Sequence, residues 1–138
     1  MKTIKAGAAV TALFAVAIAL TACGVVGGSG PSATHKAYVE AMASNDVPAI
    51  KKVMSKAALV MLEKRAQTQS KTLDDMLKEW KVGPDDAKWM VEERNVKITG
   101  DTATMEVRGS KGGTDDWSTL PFVKEDGEWK VALDKYKS

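Results

Sequence analysis

Apolar residues change their spacing along this chain, and the changes mark its parts. Ala6 to Leu20 is almost unbroken apolar sequence, entered through Lys2 and Lys5 with no acid. A spanning helix needs about 20 such residues, and this run is shorter. Val25 to Pro31 is then rich in glycine and reads as a tether. From Tyr38 to Trp80 the spacing is three and four, the period of helices. Thr34 is the expected N-cap of the first, with Tyr38, Val39 and Met42 on its face. Ser44-Asn45-Asp46 breaks it, and Asp46 caps a second helix that carries Pro48 in its first turn. There Ile50, Val53, Met54, Ala57, Met61 and Leu62 hold the face, and Lys51, Lys52, Lys56, Lys64 and Arg65 lie mostly off it. Ser55 either splits this stretch or rides within it. Gln67 to Ser70 is a polar break. Ser70 is the expected cap of a helix with Leu73, Met76, Leu77 and Trp80 on one side and Asp74-Asp75 in its first turn. Val82-Gly83-Pro84 ends it.

From Lys88 the period becomes two. Met90, Glu92, Arg94, Val96 and Ile98 are expected on one face of a strand, with Trp89, Val91 and Glu93 on the other. Gly100-Asp101 turns the chain. Ala103, Met105 and Val107 then alternate with Thr102, Thr104, Glu106 and Arg108, as in a sheet packed on one side. Gly109 to Asp116 is a polar loop. Trp117 to Lys124 is a third strand, in which Pro121 points to an edge or a bulge. Asp126-Gly127 is a hairpin turn, and Glu128 to Leu133 returns with Trp129, Val131 and Leu133 on one face.

Helices followed by a meander make an α+β pattern. The expected architecture is N-terminal helices, three in number, packed on a curved antiparallel sheet of about four strands. Tyr38-Val39-Glu40-Ala41, Asn45-Asp46 and the closing run from Pro121 to Val131 resemble the cone-shaped nuclear transport factor 2-like (cystatin-like) domains. Within these the chain is similar to bacterial lipoproteins of uncharacterised function. The resemblance covers about Ala33 to Tyr136 and speaks to fold more than to activity.

Composition and charge add the chain's address. Leu20-Thr21-Ala22-Cys23, followed by Gly24, resembles a bacterial lipobox, with cleavage between Ala22 and Cys23 and lipid on Cys23, the single cysteine. A thiol supplies the soft nucleophile that thioether formation needs. The alternative is a plain secretory signal cut near Ala22. Residues 1–22 are then signal, 23–33 lipidated cysteine and tether, and 34–138 the domain. A flexible tether of about 10 residues spans roughly 17 Å, so the domain stays near the membrane. Gly24 is not the aspartate that retains such proteins in the inner membrane of enteric bacteria. The resemblance therefore implies a lipid anchor in the cell membrane, or on the periplasmic face of the outer membrane in a Gram-negative host. Of the 20 Lys and Arg, Lys2 and Lys5 lie in the signal, so 18 remain against 18 acids. The isoelectric point of 8.6 belongs to the precursor. No basic run appears, and nucleic acid is excluded as a partner.

Candidate chemistry is sparse. His35, the single histidine, is expected at the surface beside the tether. Without a second histidine or a free thiol, no metal centre, cofactor site or catalytic triad is implied. The doublets Asp74-Asp75, Asp85-Asp86 and Asp115-Asp116 read as a helix start, a turn after Gly83-Pro84 and a loop. Met42, Met54, Met61, Met76, Met90 and Met105, with Trp80, Trp89, Trp117 and Trp129, read as core, with Trp117 the one expected at the surface. Glu92 and Arg94 either line a polar mouth or face solvent, paired with Arg108 or Glu106, and a bulge near Glu92 reconciles the two. The candidate pocket lining is Met90, Glu92, Arg94, Met105 and Trp129. Function is thus expected to be a membrane-tethered, non-catalytic binding lipoprotein holding a small apolar ligand. The alternatives are an isomerase- or dehydratase-like enzyme and a module binding an envelope protein.

Overall fold

The computed structural model describes residues 30–109 and 116–137. The expected lipobox and tether before Gly30, together with Asp115 and most of the Gly109–Asp116 loop, lie outside them. The described chain runs α1 (Pro31–Ala43), α2 (Val47–Lys52), α3 (Lys56–Thr68), α4 (Leu73–Lys78), α5 (Pro84–Met90), β1 (Glu93–Thr99), β2 (Thr102–Arg108), β3 (Trp117–Glu125) and β4 (Glu128–Val131), closing with a short 3₁₀ turn at Leu133–Lys135. It is an α+β cone of five helices on a four-stranded antiparallel sheet in the order β1-β2-β3-β4.

Local chemistry sets the helix ends. Pro31, preset for helical φ, begins α1 behind Gly30. Thr34 therefore lies inside the helix, not at its cap, and its hydroxyl donates to the Trp129 carbonyl of β4 at 3.0 Å. Asn45, at φ 54°, closes α1. Asp46 N–H bonds Ala41 O and Asn45 N–H bonds Met42 O, the paired bonds of a Schellman end. Asp46 then accepts from Ala49 N–H at 3.1 Å to cap α2. Ser55 does split the next stretch, since its Oγ accepts from Ala58 N–H at 3.1 Å to start α3. The split resets the helical phase, so Ala58, Leu62 and Ala66 are buried and Ala57 is exposed. Ser70 closes α3 in place of opening α4, with φ 56° and the same Schellman bonds to Ala66 and Gln67. Thr72 is the cap of α4.

The largest departure is at α5. Gly83, Pro84 and Asp85-Asp86 form the N-cap and acidic first turn of a helix where a turn and then a strand were expected. Met90 is accordingly helical, and β1 begins only at Glu93. Pro121 sits in an inner strand, opposite Thr104. Its carbonyl accepts from Ala132 N–H, so its missing donor faces the flank where β4 ends, and the ladder to β2 keeps its bonds. Both hairpins use left-handed backbone at their tips: Gly100 at φ 59°, and Asp126 and Gly127 at φ 51° and 78°.

Two apolar clusters result. Val39, Met42, Ile50, Leu62, Met76 and Leu77 centre the helical one. The inner face of the sheet supplies Ala103, Met105, Val107, Leu120, Phe122 and Val131. Tyr38 and Leu133 pack against both and join them. Each large side chain buried this fully contributes about 1.5–3 kcal/mol. The α2–α3 link also pairs with the sheet. Ser55 N–H donates to Val131 O at 2.9 Å, and Val131 N–H to Val53 O at 2.7 Å. Among the described residues no helix is long and apolar enough to cross a membrane.

Candidate functional site

β1 carries a bulge, and the bulge decides which side chains meet. Arg94 pairs with Glu106 and Lys97 with Thr104, so one residue of β1 is extra. Asn95 absorbs it at φ 51° and turns its amide outward to Glu106. The single face expected for Met90, Glu92, Arg94, Val96 and Ile98 is therefore divided. Glu92 and Arg94 belong to the outer face, while Glu93, Val96 and Ile98 fall on the inner face, level with Val107, Met105 and Ala103. The helices stop short of this edge strand. Val96 stays 40% and Ile98 57% exposed although they continue the apolar inner face.

His35 and Tyr38 lie one turn apart on the same side of α1, and His35 meets the Glu93 end of β1. His35 is not at the surface as expected: it is 2% exposed. Its Nδ1 lies 3.7 Å from Glu93 Oε2, beyond hydrogen-bond reach, and has no other partner. Burial pulls the imidazole below its ordinary pKa, with Glu93 and the Met90 backbone pulling back more weakly. Tyr38 is partly buried between the two clusters, and burial pushes the phenol up to about 12.

The outer face carries a different cluster. Arg94 lies 4.1 Å over the Trp117 ring, and Arg108 sits 4.8 Å from Trp89 and 5.8 Å from Trp117. Glu92 pairs with Arg108 at 2.9 Å, and Glu106 with Arg94 at 3.0 Å. Hydrogen bonds from Asn95 first and Arg94 second hold Glu106 below the usual carboxylate range. Glu92 and Arg94 thus take the paired arrangement on the solvent side. Trp117 is half-buried under Arg94, and Trp89 is the exposed indole, at 44%.

The remaining candidate lining residues are dispersed. Met90, at the end of α5, packs on the helical cluster; Met105 is wholly buried on the inner face; Trp129 is partly buried against the sheet cluster. A shallow cavity of about 350 Å³ also lies along the exposed side of α3, lined by Leu59, Val60, Glu63, Lys64 and Gln67. Among the described residues no group of three His, Cys, Asp or Glu could hold a metal ion. His35, Tyr38 and Glu93 were missed as a group. One signal was available: His35 and Tyr38 share a helical face with Met42, and that face is the buried one.

Comparison with known proteins agrees with this fold. A family model described as "Putative lumazine-binding", of the nuclear transport factor 2-like fold, matches residues 31–137. Comparison with the curated proteins and with the solved structures found no match. The match spans every described helix and strand, and on that ground the chain belongs to this family of nuclear transport factor 2-like domains.

Proposed function

We propose that this protein is a membrane-tethered, non-catalytic module of the bacterial cell envelope that holds a small ligand on the inner flank of its sheet. The lipobox Leu20-Thr21-Ala22-Cys23 supports the tether. The observation that carries the binding role is the uncovered inner flank, where Val96 and Ile98 continue the apolar face of the sheet at 40% and 57% exposure, with the Tyr38 phenol packed between the two clusters behind it. A ligand with an acceptor group for the phenol and an apolar body for the flank suits both. The family description makes lumazine the first small heterocycle to try. The enclosure of His35 Nδ1 argues for binding over acid–base catalysis, because a substrate atom cannot touch it in this state.

Tryptophan fluorescence of the detergent-purified full chain, titrated with lumazine and with an apolar dye, tests this. Saturable quenching is expected, with affinity about fivefold weaker in Tyr38→Phe, one hydrogen bond's worth. Quenching that never saturates with either probe, or that ignores Tyr38→Phe, overturns the assignment.

A further inference from the structure

We propose that His35 is an acid-opened latch: on taking up a proton it drives the first half of α1 away from the α5–β1 junction and so widens the inner flank at its Glu93 end. The proposal rests on reading that flank as the ligand site, and it adds regulation to it. An imidazole 2% exposed, with Nδ1 touching no acceptor, is packed as a neutral ring. A positive charge in the same place needs either strong hydrogen bonds or water. The charged groups around it offer little, and those of α2 and β4, which also pack on α1, are engaged elsewhere: Lys51 with Asp74 and Lys130 with Glu128. On its own helix, Lys36 and Glu40 pair with each other at the surface. On α5, Lys88 pairs with Asp85, and Met90 contributes only its backbone. On β2, Arg108 is held by Glu92. From β1 comes Glu93, at 3.7 Å and itself partly in water.

One half-solvated carboxylate does not offset the loss of hydration, which agrees with the direction in which the ring is shifted. The sign follows from proton linkage. The closed form binds a proton less readily than a form with His35 in water, so lowering the pH below the ordinary imidazole value favours the open form. Glu93 opposes the effect by steadying whatever charge forms while the seam is closed. The link from Thr34 to the Trp129 carbonyl, 3.0 Å, is what the opening half of α1 must also give up.

The chain holds a single histidine, so its ring C2 proton gives one unambiguous titration by NMR. Amide hydrogen exchange of the full chain in detergent micelles, without ligand and corrected for intrinsic rate, reads the opening. Between pH 7 and pH 5, protection of the α1 amides should fall about fivefold relative to α3, in step with the ring titration. His35→Gln should flatten that dependence, and Glu93→Gln should enlarge it. Three results overturn the latch: protection that is flat with pH in the wild type, an unchanged pH dependence in His35→Gln, or α1 becoming better protected in acid. Because no ligand is present, failure here leaves lumazine binding at pH 7 as a separate test of the site itself.

Discussion

Arg108 shows how a charge can sit almost inside a small domain. It is 9% exposed, lies over two indoles and is held by Glu92. Its planar guanidinium stacks and pairs at once, which an ammonium cannot do. Replacing it with alanine should cost about 2 kcal/mol, below the full figure for a buried pair because Glu92 can still be hydrated. Urea denaturation measures this, and Arg108→Lys should recover less than half of the loss. The pairing of Glu92 and Arg94 with Arg108 and Glu106 was one of two readings the sequence left open, because alternation alone set them beside Met90 and Val96 and only the extra residue at Asn95 divides that face. His35 was only half legible: the face it shares with Tyr38 and Met42 marks it as inward, but the groups it meets were not. Its burial depends on Glu93 and Met90, which reach it only when α5 and β1 fold back on α1.

At the scale of elements, capping chemistry was the most readable layer, and it failed where two signals competed. Ser70 and Thr72 both precede the α4 pattern. Ser70 lost because the end of α3 needs a left-handed residue there. Helix α5 was hidden because its seven residues are too few to show a period, although Gly83, Pro84 and Asp85-Asp86 announce a helix start in full. Ser55 is the cap that matters most. It is buried, caps Ala58 and bonds Asp134 at 3.2 Å. Ser55→Ala should destabilise the protein by about 1–2 kcal/mol, seen as a lower urea midpoint with an unchanged slope. A change under about 0.5 kcal/mol would show that the cap does not control the α2–α3 junction.

For the whole molecule, the fold class followed from the order of periods, helical first and alternating after. The count of helices and the site did not follow, because both depend on where elements meet. The family match from residue 31 to 137 leaves the N-terminal segment to its own chemistry. The proposed anchor at Cys23 predicts that Cys23→Ala abolishes incorporation of a fatty-acid probe and leaves uncleaved precursor on a gel. Equal labelling of the mutant would remove the tether from the proposal while leaving the domain as described.

The strand-like link Val53–Ser55 lies along β4 through its bonds with Val131, and β1 is the other outer strand. A sheet sealed on one side can accept a new strand only on the other. Two copies meeting edge to edge would use both open rims at once, and stacking would stop at a pair. Fibre growth needs a rim left over after each addition, and the short link between two helices has already taken it.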